Sequence, residues 1–235
     1  SVATTTTAPV KRPGMAKVIW NRFRHQKAAL VCLILIIAEI IVAAGAPIFA
    51  PYDPLKVDYT ITWETPSKAH IFGVDDLGRD VLSRLIYGGR ISIAIGIVSQ
   101  IAALAIGLPL GALAGMVGGW FDFAVTRFIE ILTSVPTIFL YILMMIALGA
   151  GFQNMVLAMA ITNWTGIARL VRGQVLSLRQ TDYVRAATAM GGDTKHIITA
   201  HLLRNALGPV LVAVTFGVPS AMLAEAGLSF LGLGI

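Results

Sequence analysis

The chain has 235 residues, of which 57% are hydrophobic and only 13% are charged. A soluble domain carries about 25% charged residues, so this composition predicts an integral membrane protein and excludes an intrinsically disordered chain. Cys32 is the one cysteine, which excludes a disulfide scaffold. The net charge of +6 would suit nucleic acid, but the basic residues flank apolar segments, so no nucleic-acid partner is expected.

The N-terminal part of the chain predicts a basic tail followed by one transmembrane helix. Residues 1–27 contain six Lys or Arg residues and no acidic residue. Residues 28–50 form an apolar run that reaches about 34 Å as a helix, enough to span a bilayer. Glu39 is the single charge within it. We expect Glu39 to be protonated or hydrogen-bonded to another helix, with a proton or cation site as the alternative.

Residues 51–90 predict a polar segment between two transmembrane helices, with six acidic and five basic residues. Asp80 is placed to cap a short interfacial helix over 81–87, and the pair Gly88-Gly89 is expected to end it. The acidic residues of this segment do not follow the spacing of a calcium-binding EF-hand loop, so we predict no metal site here.

Residues 91–235 predict four further transmembrane helices. The uncharged stretches in this part are long enough to form transmembrane helices. Glycine-rich turns at Gly118-Gly119 and Gly149-Ala150-Gly151 are expected to separate these helices. The spans are expected from residue 91 to the first of these turns, over 123–148, over 155–172 and over 205–224.

The basic residues predict the orientation of these five spans. The most basic parts outside the apolar runs are the tail 1–27 and the segment 173–204. Five spans place both of them on the same side of the membrane. Cytoplasmic segments are enriched in Lys and Arg, so we expect the N-terminus, the segment 173–204 and a loop over 118–127 to be cytoplasmic. Residues 51–90 are then extracytoplasmic.

Catalytic and metal-binding patterns are absent from the sequence. The four histidines all lie outside the predicted spans, and neither H-E-x-x-H nor C-x-x-C occurs. The phosphate-binding loop G-x-x-x-x-G-K-[ST] is missing as well, so we expect no ATP hydrolysis by this chain. The sequence therefore predicts no catalytic residue, no metal site, no cofactor and no enzymatic activity.

The segment 173–204 is the most informative part of the chain, because it is polar and too long for a simple connection between spans. Asp182 can cap a helix over 183–192 whose small residues, such as Ala186 and Ala187, allow another surface to approach closely. Gly191-Gly192 is expected to break this helix. The segment predicts a docking element for a cytoplasmic partner, or alternatively a solvated loop with interfacial helices.

The same segment resembles the EAA loop of ABC importer permeases, which runs Glu-Ala-Ala, three residues, Gly, nine residues and then apolar–x–Leu–Pro. The matching positions are Ala186, Ala187, Gly191 and Leu203, and the departures are Arg185, His201 and Arg204. Two further stretches, 72–84 and 224–234, are similar to the C-subunit type of dipeptide, oligopeptide and nickel permeases. The resemblance covers the chain from about residue 20 to its end.

The resemblance implies an all-α polytopic membrane helix bundle of the ABC importer type I permease (MetI-like) class. About five transmembrane helices are then present, with a sixth expected beyond residue 235. It implies a basic cytoplasmic tail 1–27, a first transmembrane helix 28–50, an extracytoplasmic loop 51–90 and a permease core 91–235 that contains the coupling loop 173–204. The expected location is the bacterial inner membrane.

The function implied is that of a transmembrane permease subunit in an ATP-driven, binding-protein-dependent importer of dipeptides or oligopeptides. Import of nickel or another small solute is the alternative, and a non-transporting membrane scaffold is the alternative from a different class. The implied partners are membrane lipid, a homologous second permease, two cytoplasmic ATPase subunits that bind ATP and magnesium, and an extracytoplasmic substrate-binding protein.

The resemblance also assigns residues to two places. The residues expected to couple to the ATPase are Tyr183, Arg185, Ala186, Ala187, Met190, Gly191, Gly192, His201 and Leu203. The extracytoplasmic loop signature comprises Asp75, Asp76, Gly78, Arg79 and Asp80. No residue can be assigned to substrate binding from the sequence.

Overall fold

A computed structural model describes residues 15–191 and 203–234, and this part of the chain is helical, as predicted. Its helices are α1 (Met15–Arg24), α2 (Lys27–Ala44), α3 (Ala46–Phe49), α4 (Val81–Val117), α5 (Gly119–Thr133), α6 (Thr137–Leu148), α7 (Phe152–Arg179), α8 (Asp182–Ala189) and α9 (Leu203–Phe230). Over the same ranges the only β-type pairing is an isolated bridge between Val74 and Asp80.

The chain divides into two compact units between Tyr87 and Gly88. The first unit contains α1 to α3, the polar segment after them and the start of α4. Most side chains of α2 are exposed although they are apolar, and Ala43 is its one buried residue. An apolar helix that is exposed nearly all round is the expected form of a helix surrounded by lipid.

The second unit is built around α7, which packs against α5, α6, α8 and α9. α7 carries more buried side chains than the other helices for which buried residues are given, including Trp164, Ala168 and Val175. One cluster of buried residues surrounds Trp164 and Val171, and a second joins Tyr141 and Met159 to Leu228. This packing explains why α7 is less apolar than a lipid-facing helix, since its surroundings are mainly protein.

α4 and α7 approach each other closely along a seam of glycines spaced four residues apart. A Cβ atom added to Gly107 would lie 2.6 Å from the carbonyl oxygen of Trp164, and one added to Gly111 would lie 2.4 Å from that of Ala168. Glycines at this spacing lie on one face of a helix and allow two backbones to meet. The four-residue spacing of these glycines therefore permits the close contact between α4 and α7.

α4 is longer than the sequence predicts. The helix runs for 37 residues from Val81, so Gly88-Gly89 does not end a short helix, and no loop precedes residue 91. Asp80 does cap its start, since the Ser83 amide donates to Asp80 Oδ2 at 2.7 Å. Helix ends of the glycine type require a positive φ, and neither Gly88 nor Gly89 adopts one. Each glycine inside a helix lowers the stability of the helix by about 1 kcal/mol relative to alanine, and the continuing backbone hydrogen bonds of α4 outweigh this loss.

The predicted span over 123–148 is two helices rather than one. α5 and α6 are bent by 83° at the break between them. Pro136 explains the break, because it has no N–H to donate and it forces the residue before it away from helical geometry. The predicted loop over 118–127 is also absent, since α5 begins at Gly119. Gly118 and Gly119 make a tight turn with φ of 71° and 58°.

Within residues 15–191 and 203–234, three helices, α2, α4 and α9, are long and apolar enough to cross a membrane, and the bent pair α5 and α6 raises this to four if it is one span. α7 corresponds to the predicted span over 155–172 but is longer, with 28 residues. The predicted turn at Gly149-Ala150-Gly151 is confirmed between α6 and α7, where Gly149 adopts a φ of 85°.

Candidate functional site

The segment predicted to contact an ATPase contains α8, which has one buried and one exposed side. α8 ends at Ala189, and Gly191 follows with a φ of 80°, so the predicted helix over 183–192 is shorter at its C-terminal end. Val184 is fully buried in the cluster around Val171. Arg185 and Ala186 are exposed. α8 is therefore attached to the helix bundle through Val184 and presents its other side outward.

A groove of about 900 Å³ lies beside α8, at the ends of α4 and α7. Its walls are formed by Met116, Val117, Arg179, Gln180, Arg185 and Ala189. Arg179 Nη1 donates to the carbonyl oxygen of Met116 at 3.0 Å, so a cation meets the carbonyl end of α4. Arg185 adds a second positive side chain to the same groove. Such a groove can receive an acidic or apolar side chain from another protein.

An ion pair near the groove joins α5 to α7. Arg172 Nη2 donates to Asp122 Oδ2 at 2.7 Å, and Arg172 Nε donates to the other carboxylate oxygen. Both side chains are less than one-third exposed. This two-point pairing fixes the orientation of the α7 end that leads to α8. No sequence motif singles out Arg172, Asp122 or Arg179, but Asp122 in the first turn of α5 and Arg179 in the last turn of α7 are charges at helix ends that the sequence offers as a signal.

The predicted coupling residues are described only in part. Tyr183, Arg185, Ala186, Met190 and Gly191 lie together on α8 and the turn after it. Ala187 lies on α8, and Leu203 begins α9. Gly192 and His201 lie outside the described residues. The role of these residues in coupling stays a prediction.

The loop signature forms a compact turn around Asp75. Asp75 Oδ1 accepts backbone N–H groups of Leu77 and Arg79, both at 2.9 Å. Asp75 Oδ2 accepts Arg79 Nε at 2.8 Å and Arg84 Nη1. Asp76 is mostly exposed, and its nearest cation is Arg79 at 3.8 Å. Asp75 is therefore the central residue of the signature and its carboxylate oxygens are occupied by donors.

Gly78 and Asp80 fix the two ends of this turn. A Cβ atom on Gly78 would lie 1.8 Å from the Asp58 carbonyl oxygen, and its φ of 72° also favours glycine. Asp80 is 3% exposed. Its Oδ2 accepts the Ser83 amide and hydroxyl, and its Oδ1 lies 2.9 Å from His70 Nδ1. The signature residues thus build a rigid loop at the start of α4.

Two carboxyl groups of this loop, those of Asp75 and Asp80, have a lowered pKa. Burial acts to raise the pKa of Asp75, but the hydrogen bonds from Arg79, Leu77 and Arg84 outweigh it and lower that pKa to about 2. Burial also acts to raise the pKa of Asp80, but the hydrogen bonds from Ser83 and His70 outweigh burial and lower that pKa. Both groups are therefore ionised at neutral pH. Within the described ranges, no three His, Cys, Asp or Glu side chains are grouped as metal ligands.

Glu225 joins α4 to α9. Its Oε2 accepts the Ser92 hydroxyl at 2.7 Å and its Oε1 accepts the Ser229 hydroxyl at 2.7 Å. Glu225 is 7% exposed. Glu39, in contrast, is exposed on α2, and no hydrogen bond or ion pair to it exists among residues 15–87. A hydrogen bond from Glu39 to another helix stays a prediction.

Two family models match the sequence. One, described as "Binding-protein-dependent transport system inner membrane component", matches residues 107–235. The other, described as "N-terminal TM domain of oligopeptide transport permease C", matches residues 14–66. The first match includes α8 and the groove, and the second includes α1 and α2.

Similar proteins and one solved structure agree with these matches. The oligopeptide transport system permease protein OppC of Bacillus subtilis (strain 168) is 42% identical over 214 residues, which are 91% of this chain and 70% of OppC. The dipeptide transport system permease protein DppC of the same organism is 38% identical over 228 residues, 96% of this chain and 71% of DppC. A chain of the MetNI methionine ABC transporter, solved in inward-facing conformations, aligns with a TM-score of 0.57 and 26% identity, covering 64% of this chain and 75% of that chain.

Proposed function

Because the chain belongs to the family of binding-protein-dependent transport inner membrane components, and is thus a multi-pass permease subunit of an ABC importer, we propose that its substrates are dipeptides or oligopeptides. The observation that carries this proposal is the 38–42% identity to permeases named for oligopeptide and dipeptide transport, which extends over more than nine-tenths of the chain. Nickel or another small solute remains the alternative substrate that the test below distinguishes.

The complex we propose contains this chain, a homologous second permease, two ATPase subunits and an extracytoplasmic binding protein. ATP and magnesium bind to the ATPase subunits. The N-terminus and α8 face the cytoplasm, which agrees with the basic residues 1–27 and 173–204. The loop around Asp75 then faces the binding protein.

α8 is the lever through which the ATPase moves the permease in this proposal. Its buried Val184 transmits force to the core cluster around Val171, and its exposed face offers Arg185 and Ala186 to the partner. The ion pair of Arg172 with Asp122 makes the connection from α7 to α5 stiff. A rigid connection is needed because ATPase closure can rock the helices only if α8 does not move independently.

Gly191 provides the test of this lever. Its φ of 80° is a conformation that proline cannot adopt, so Gly191→Pro must distort the turn after α8. In the complete complex reconstituted into ATP-loaded vesicles, we expect this variant to insert normally and to hydrolyse ATP while importing at least tenfold less labelled dipeptide. Gly173→Ala is the matched control, since its new Cβ meets nothing within 4 Å.

Normal import by Gly191→Pro would refute the coupling role of this turn. The wild-type complex tests the substrate: saturable import of dipeptides or longer peptides supports the proposal, whereas import of a nickel chelate without peptide import replaces it with the alternative. A purified chain that co-purifies with no ATPase would indicate a scaffold.

A further inference from the structure

An open cavity of about 340 Å³ lies in the second unit, between the middle sections of α4, α7 and α9 and beside α6, and Gly166 and Ser220 on its wall are exposed. Four of its lining side chains are polar and none is charged: Gln100, Tyr141, Asn163 and Ser220 supply the polar groups. Ile167 is among the apolar residues on its wall. This volume and this mixture of apolar walls with a few polar groups are typical of sites for small molecules.

Gln100 has a buried amide that is not hydrogen-bonded. The residue is 4% exposed, and no group in the described ranges donates to it or accepts from it. Its amide lies against Gly217, where an added Cβ would be 2.3 Å from Gln100 Oε1. In those ranges only Thr126 Oγ1 is a side-chain polar atom that is both fully enclosed and without a partner. The atoms of the Gln100 amide, which also have no partner, are therefore not fully enclosed, and the amide is open to the cavity. A buried amide without a partner is unfavourable, and water or a ligand must satisfy it.

The other polar groups leave further hydrogen-bonding capacity in the cavity. The Tyr141 hydroxyl donates to Asn163 Oδ1 at 2.8 Å, which leaves the Asn163 amide N–H groups as donors. The Ser220 hydroxyl donates to the Phe216 carbonyl at 2.9 Å, which leaves its oxygen as an acceptor. The cavity therefore offers donors and acceptors side by side and no charge.

We propose that this cavity binds the backbone of a short peptide during transport, with Gln100 and Asn163 as the residues that recognise a peptide group. A primary amide accepts from a peptide N–H with its oxygen and donates to a peptide C=O with its nitrogen, so it matches the one group that every peptide contains. Neutral contacts to the backbone hold peptides of different side-chain sequence equally. This inference rests on peptide import as the proposed function.

The test compares two substrates and three variants in the complete complex, reconstituted with saturating binding protein and ATP. The substrates are labelled trialanine and trialanine with one methylated peptide nitrogen, which cannot donate at that position. The variants are Gln100→Met, which keeps the volume but removes the amide, Gly217→Ala, which displaces it, and Gln153→Met, a control at an exposed position on α7. Uptake is expressed per ATP hydrolysed and per assembled complex.

We expect the wild type and Gln153→Met to import trialanine about fivefold faster than the methylated peptide, the ratio that one lost hydrogen bond produces. Gln100→Met and Gly217→Ala should import trialanine at close to the slower rate and show a ratio near one. A ratio in both variants equal to that of the wild type would overturn the inference while leaving peptide import intact. Loss of the second permease from purified Gln100→Met would also overturn it, because the cavity would then be a subunit contact.

Discussion

The seam between α4 and α7 predicts that Gly111→Ala destabilises the protein. The added Cβ would lie 2.4 Å from the Ala168 carbonyl oxygen and 2.9 Å from its Cα, against 3.4 Å or more in ordinary contacts. The overlap is about 1 Å and falls on backbone atoms, which cannot rotate away, so the two helices must separate. Overpacking of this kind costs about 1–3 kcal/mol, and we expect the upper part of that range at Gly111.

Thermal unfolding of the purified complex in nanodiscs measures this effect. A loss of about 2–3 kcal/mol lowers the Tm by roughly 5–10 °C for a chain of this size. Gly173→Ala on α7 is the control, because its Cβ meets no atom within 4 Å and alanine favours the helix by up to about 1 kcal/mol. Equal Tm values for Gly111→Ala and Gly173→Ala would refute the close-contact explanation of the seam.

Two further predictions concern Asp75 and Glu225. Because the pKa of Asp75 is lowered to about 2, its ionised form stabilises the folded loop by about 2 kcal/mol above pH 4, and this is lost as the pH falls towards 2. Hydrogen exchange of residues 51–80 should therefore increase in Asp75→Asn at pH 6 but not in Asp76→Asn, and equal exchange in both would contradict the role of Asp75. Glu225→Ala should lower the Tm by more than Glu225→Gln, because only the amide can still bond the Ser92 and Ser229 hydroxyls. Identical Tm values would show that these bonds contribute nothing.

The sequence predicted well those features that are encoded locally. The apolar run of α2, the turn at Gly149-Ala150-Gly151 and the cap at Asp80 each depend on a few neighbouring residues, and each is found where the sequence places it. The helical fold also follows from composition, because helices satisfy their own backbone hydrogen bonds in lipid. The EAA-like residues indicated the permease family for the same reason, since that pattern lies within one short segment.

The errors arose where one local signal competed with another. Gly88-Gly89 was expected to end a helix, yet α4 continues through it because neither glycine adopts the φ that an end requires. The residues 123–148 were expected to form one span, although Pro136 within them is a helix-breaking signal. The span was assigned from the apolar composition of many residues, and such an average gives little weight to one proline.

The tertiary structure alone decided which helices meet and which polar groups share a space. Gly111 contacts Ala168 and Ser92 bonds Glu225 across separations of 57 and 133 residues, and no local pattern encodes such pairs. The cavity beside Gln100 likewise exists only because α4, α7 and α9 pack around it. The sequence by itself determined a helical membrane protein, since length and hydropathy select spans, and its EAA-like residues indicated the permease family. Which residues of distant segments meet depends on helix packing, which only the folded chain defines.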